Sequence, residues 1–167
     1  DVLDSAGNAA TQKSLTFTYD VTVAISSISP DFGNFLSAIG DDTNATITIA
    51  TTGVEDGQLV TVTLNGFNYT GNVTNDSAEV VIPSADLNNL TEGEVILTAD
   101  VFDIAGNAAT QESLTFTYDA TPPTITLITP DFGTYLNATG DDIDATVIIE
   151  TTGVEDGQIV TVTIDEE

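Results

Sequence analysis

Apolar and polar positions alternate along several short runs of the chain. In residues 45–50, Ala45, Ile47 and Ile49 alternate with Thr46 and Thr48. Residues 59–64 do the same, with Val60, Val62 and Leu64 on one face and Thr61 and Thr63 on the other. A period of two is the mark of a half-buried strand. Leu114, Phe116 and Tyr118 alternate with Thr115 and Thr117 in the same way. Further strands are predicted at 22–29, 67–73, 78–82 and 94–102, the last being the most apolar and the central one. Pro83 ends the run before it, because proline cannot donate to a ladder. Residues 30–42, 52–58 and 103–112 carry Gly, Asp, Asn and Pro and read as connections. No segment keeps helical spacing over three turns. The expectation is an all-β fold, an immunoglobulin-like β-sandwich whose seven strands lie between residues 22 and 118.

The pattern repeats. Residues 1–20 return as 100–119 with 17 of 20 positions identical, and 30–63 return as 130–163 with 24 of 34 identical. The offset is 99 residues in the first pair and 100 in the second. A period of this length, filled with short strands, predicts a tandem array of sandwich domains. The expected division is a C-terminal tail of a preceding Ig-like repeat at 1–20, a complete repeat at 21–119, and the N-terminal half of the next at 120–167. On this division the natural polypeptide is longer at both ends. The connection Asp119-Ala120-Thr121-Pro122-Pro123 is short and holds two prolines, which favours a stiff joint. Its counterpart after Asp20 reads Val21-Thr22-Val23 and has no proline.

Charge narrows the partners. The chain has 27 acidic residues, one lysine (Lys13), no arginine and no histidine, for a net charge of −26. Nucleic acid and anionic membrane both need Lys and Arg, so neither is a partner. The balance favours cations or plain solvation. With no cysteine, no disulfide staples the sandwich. With no lysine between 21 and 119, no internal Lys–Asn cross-link can either. No apolar run has membrane length.

At two places the chain resembles a known family. Val101-Phe102-Asp103-Ile104-Ala105-Gly106-Asn107 matches a V-x-D-x-A-G-N signature, and Asp119 to Pro123 matches the D-x-T-P-P that follows the last strand. Both are features of the bacterial Ig-like repeats of giant Gram-negative (RTX-type) surface adhesins. The resemblance implies secreted extender domains at the cell surface, with Ca²⁺ between and beside domains.

Sandwich topology offers places for such ions. The turn between the second and third strands (Glu55, Asp56) and the loop before the last strand (Asp103, Asn107) would share one end of the sandwich with Asp20. Ca²⁺ takes six to eight hard oxygens, and Asp20, Glu55, Asp56, Asp103 and Asn107 are the expected ligands there. Asp119, Glu155 and Asp156 repeat the set at the next joint. Asp41 and Asp42, copied as Asp141 and Asp142, would approach Asp119 from the other end. The same residue types are ordinary turn formers without any ion. Zinc has no His or Cys to bind it.

Six N-x-S/T sequons occur, at Asn44, Asn68, Asn72, Asn75, Asn89 and Asn137. They read either as N-glycosylation sites or as the product of a Thr-rich composition. Pro30-Asp31-Phe32-Gly33 holds a D-F-G without the rest of a kinase set, and nothing else in the chain supports catalysis. The expected function is structural: a calcium-stiffened extender in a long secreted adhesin, holding a distal binding domain away from the cell. The partners on this reading are neighbouring repeats. A self-assembling filament or surface layer of identical chains is the alternative. A glycan-binding module would need exposed aromatics from Phe32, Phe35, Phe67, Tyr69, Phe132 and Tyr135. Phe32 and Phe35, which recur as Phe132 and Tyr135, are instead expected to plug the end of each sandwich or to pack on the next.

Overall fold

The computed structural model describes residues 2–37, 43–134 and 144–164. The strands in chain order are β1 (Ala24–Pro30), β2 (Phe35–Ser37), β3 (Ala45–Thr52), β4 (Leu59–Leu64), β5 (Phe67–Asn72) and β6 (Ser77–Ile82). A single helical turn, α1 (Ser84–Leu87), follows. Then come β7 (Gly93–Val101), β8 (Glu112–Asp119), β9 (Thr124–Pro130) and β10 (Val147–Thr152). Up to β8, one sheet has the order β1-β3-β6 and another β2-β8-β7-β4-β5. This is the two-sheet arrangement of an immunoglobulin-like sandwich, with the first strand divided between the sheets.

The chain divides into two compact units, and β7 and β8 each contribute to both. The first unit comprises Asp1–Asp31, Ala45–Ile82 and Ile96–Thr115. Its core follows from the alternation. Ile47, Ile49, Val80 and Ile82 come from one sheet, and Val60, Val62, Leu64, Leu97 and Val101 from the other, all fully buried. Each such side chain contributes roughly 1.5–3 kcal/mol on leaving water. β4 pairs antiparallel with both β5 and β7, with Val62 opposite Tyr69 and Ala99. Asn65 (φ 49°) and Gly66 (φ 81°) turn β4 into β5, and Asn75 and Asp76 turn β5 into β6, also at positive φ. These are the left-handed conformations that two-residue hairpins need. Thr51 is buried near the end of β3, and its hydroxyl has no partner among the described residues.

The second unit comprises Phe32–Asn44, Pro83–Val95 and Phe116–Glu167. In it β2 runs parallel to the end of β8, Phe35 opposite Thr117 and Ser37 opposite Asp119. Leu36, Leu87, Leu90, Phe116 and Tyr118 are buried. Phe32 packs edge-on to Phe116 with ring centroids 5.0 Å apart. Ser84 N donates to Asn44 Oδ1 (3.1 Å), anchoring the helical turn after Pro83. β9 and β10 form an antiparallel hairpin with a bulge between Glu150 and Thr151.

The seven expected strands are all present, with ends shifted by a residue or two. Up to β8, two elements lie beyond the expectation. β2 has three residues, too few to show a period, and pairs with a strand about 80 positions away. α1 spans four residues, less than the span that reveals helical spacing.

Candidate functional site

The D-x-A-G-N loop after β7 is built around one carboxylate. Asn107 N donates to Asp103 Oδ1 (2.7 Å), and Asn107 Nδ2 donates to Asp103 Oδ2 (2.6 Å). The backbone closes the same loop, with Asp103 N donating to Asn107 O (3.0 Å) and Gly106 N to Asp103 O (3.1 Å). The positive φ that closes it (90°) falls on Gly106. Asp103 is only 3% exposed, a burial tolerated because both carboxylate oxygens are satisfied. The Asn107 side-chain amide is the main cause that holds its carboxyl below the ordinary value. Backbone N–H groups of Asn107, Gly106 and Ala105 add to this and burial opposes it.

Two bonds tie this loop to other segments of the first unit. Asn107 Nδ2 also donates to the carbonyl oxygen of Asp20 (2.9 Å). Ile104 N donates to Glu55 Oε2 (2.9 Å). The structure therefore brings Asp20, Glu55, Asp103 and Asn107 to one place. Asp56 is engaged elsewhere: its Oδ1 accepts from Asn75 N (2.8 Å) at the tip of the β5–β6 hairpin. Asp20 also accepts from Thr22 N through Oδ1 (3.1 Å).

In the second unit, Asp119 Oδ1 accepts from Thr121 N (3.0 Å), the same turn as at Asp20. Asp119 and Glu155 line one open cavity of about 240 Å³ together with Phe35 and Thr121. Asp156 is exposed in the turn after β10. Asp41, Asp42, Asp141 and Asp142 lie outside the described residues.

As a calcium centre this geometry is incomplete. Among the described residues no group of three or more acidic side chains converges on a metal position. Asp103 already spends both oxygens on N–H donors. A Ca²⁺ shell of six to eight oxygens is not assembled by the residues in view. What was not legible in sequence is that Asp20 meets the loop through its backbone carbonyl, and that Asp56 serves a different turn. The i, i+4 spacing of Asp103 and Asn107 was the available signal for a self-bonded loop.

The aromatics divide. Phe32 is half-buried on Phe116 as expected of a plug. Phe35 is 72% exposed, because only Leu36 of the three-residue β2 faces inward. Phe67 is exposed, Tyr69 and Phe132 are half-buried, and Tyr135 lies outside the described residues. Of the sequon asparagines, Asn44, Asn68, Asn72, Asn75 and Asn89 are all exposed, and Asn137 lies outside the described residues. No described helix is long and apolar enough to cross a membrane.

No family model matches the chain. No curated protein matches it. Among solved structures, it is similar to part of a 1.5-MDa bacterial ice-binding adhesin studied for retention at the host cell surface. That match has 21% identity and a TM-score of 0.50, covering 68% of this chain and 37% of that one. It is also similar to a bacterial immunoglobulin-like domain of the M. primoryensis ice-binding adhesin, at 26% identity and a TM-score of 0.42. Here 59% of this chain and 96% of the domain are covered. A third is a Ca²⁺-stabilised adhesin with which an Antarctic bacterium reaches out and binds ice, at 24% identity and a TM-score of 0.44. It covers 77% of this chain and 32% of that one. The chain thus spans about a third of the length of two of these structures. In fold, it is similar to part of a 1.5-MDa bacterial adhesin.

Proposed function

We propose that this chain is a segment of an extracellular extender, a row of immunoglobulin-like repeats that carries a distal binding domain away from the cell surface. Residues 1–20 belong to one repeat, 21–119 form the next, and 120–167 begin a third. The observation that carries the reading is continuity. β8 ends at Asp119 and β9 begins at Thr124, and the block ending at Asp119 repeats the one ending at Asp20. Four residues between the strands leave no room for a flexible tether. The role is mechanical and assigns no catalysis. The location is the cell surface, and the partners are the neighbouring repeats.

Calcium at the joints is the finer part of the proposal. It is supported by the charge of −26 and by the matched placement of Asp20 near Glu55 and of Asp119 near Glu155. Carboxylates gathered at a joint repel, and screening at ~8 Å does not act inside such a cluster. A divalent ion would convert the repulsion into attraction. Thermal unfolding of the 167-residue chain in calcium and in EGTA tests this. At calcium a hundred times Kd the stabilisation is about 2.7 kcal/mol, or roughly 10 °C or more for a domain of this size. Coincident midpoints would remove calcium and leave a metal-free rod.

A second reading, a filament or surface layer of glycosylated identical chains, has one observation in its favour: all five described sequon asparagines are exposed. An intact mass of the protein from its native source equal to that of the bare polypeptide would dismiss the glycan.

A further inference from the structure

We infer that the D-x-A-G-N loop is the docking element by which one repeat grips the end of the repeat before it, with Asn107 as the positioning residue. The inference rests on the tandem-repeat reading, in which Asp20 closes one repeat and Asn107 belongs to the next. The Asn107 amide has two N–H donors, and both are used. One goes to Asp103 Oδ2 and the other to the Asp20 carbonyl. Asp103 aims the amide, and the amide holds the backbone just before Val21. Ile104 N, one residue into the same loop, is held by Glu55. The loop is thus braced against the β3–β4 turn while it grips the linker. Only a primary amide on a short side chain meets this need. Aspartate at 107 would bring no donor and would set a second charge against Asp103.

The other copy of the motif forms the same internal bonds. Asn8 Nδ2 donates to Asp4 Oδ2 (2.9 Å) and Asn8 N to Asp4 Oδ1 (2.8 Å). Asn8 donates to no other described residue. The internal bonds of the loop therefore stand by themselves, and the bond to Asp20 is an addition special to the joint. The partner that this surface fits is a chain segment ending in an Asp-closed turn, as at Asp20 with Thr22 N on its Oδ1 (3.1 Å). Asp119, with Thr121 N on its Oδ1 (3.0 Å), presents the same kind of end.

Amide hydrogen exchange on the whole 167-residue chain tests the inference, in Asn107→Ala, Asn107→Asp and the control Asn8→Ala, each with calcium and with EGTA. Either Asn107 variant should speed exchange of Thr22, whose N–H is held by Asp20 Oδ1, roughly tenfold, the loss of one hydrogen bond. The core amides of β4 should stay protected. Asn8→Ala should loosen residues 4–8 and leave Thr22 unchanged. Unchanged exchange at Thr22 in the Asn107 variants would overturn the inference. So would an equal loosening of Thr22 by EGTA alone in the parent chain, which would give the grip to a metal. If Asn107→Ala does not fold, Asn107→Asp gives the reading. The calcium part of the extender proposal is judged separately, by the midpoint shift of the parent.

Discussion

Residues 1–20 and 100–119 share 17 of 20 positions, yet only half of the block has the same structure in both copies. The D-x-A-G-N loops share their closing backbone bonds and the Asp–Asn pair. Asp4 N donates to Asn8 O (2.9 Å) and Asp103 N to Asn107 O (3.0 Å). Ala10 N reaches Val2 O and Ala109 N reaches Val101 O. The strand halves do not agree. Phe116 and Tyr118 are 2% and 5% exposed within β8, while Phe17 and Tyr19 are 79% and 83% exposed and belong to no strand. Residues 59–64 and 159–164 differ likewise: β4 is buried on alternate positions, and Ile159, Val162 and Ile164 are exposed. The loop satisfies its own polar groups within residues 2–10, so a short segment specifies it. A strand satisfies nothing alone; it takes its bonds and its burial from neighbours.

The largest test of that contrast is a matched truncation. Phe116→Ala removes a buried ring that packs on Phe32, and should cost about 3–5 kcal/mol. Phe17→Ala removes the same ring from a copy in which it is 79% exposed, and should stay within about 0.5 kcal/mol in this 167-residue chain. Urea unfolding of both variants decides it. A comparable loss in Phe17→Ala would mean that the first block is packed in solution.

The two linkers give the next test. Gly53 has φ 69°, and a Cβ there would overlap the carbonyl oxygen of Thr22. Gly153 has φ 72°, but its nearest neighbour would be Pro123 Cα at 3.5 Å. Alanine in left-handed backbone costs about 1–2 kcal/mol at either site. Gly53→Ala must in addition displace the linker from the end of β3, so it should be the more destabilising by about 1–3 kcal/mol. Equal midpoints for the two variants would show that the linker after Asp20 is as loosely seated as the one after Asp119.

The same contrast explains how much could be read in advance. β3, β4 and β8 were legible because each buries one face, which writes a period of two into Ile47, Ile49, Val60, Val62, Phe116 and Tyr118. β7 was legible as the central strand because β8 and β4 flank it and its apolar run follows. β2 was not, since a three-residue parallel pairing is decided by where β8 happens to lie. The site was legible as a meeting of Asp20, Glu55, Asp103 and Asn107, because loop placement follows from strand order. Its chemistry was not. Which atom of Asp20 is used, and that Asn107 acts as a donor, depend on geometry at the scale of one bond. Asp56 was grouped with Glu55 by adjacency, but neighbours in a turn point apart, and it caps Asn75 instead.

The smallest expected effect lies in acid. Asp4 and Asp103 both have their carboxyls held below the ordinary value of about 3.9, in each case chiefly by the side-chain amide of the asparagine four positions on. A carboxylate with a lowered pKa in the folded state stabilises that state above its unfolded pKa. The stabilisation is lost as pH falls through the lower, folded value. Both loops should therefore hold at neutral pH and weaken below about pH 4. Their consequences differ. Asp103 orients the amide that grips Asp20, in a loop that Glu55 braces through Ile104 N, so its protonation should lower the midpoint of the whole sandwich. Asp4 closes an exposed loop, so its protonation should free residues 4–8 and nothing more. Asp103→Asn should flatten the acid side of the stability curve, and Asp4→Asn should leave it unchanged. Superimposable acid curves for the two variants would mean that Asp103 serves only its own loop and that the joint is held by other contacts.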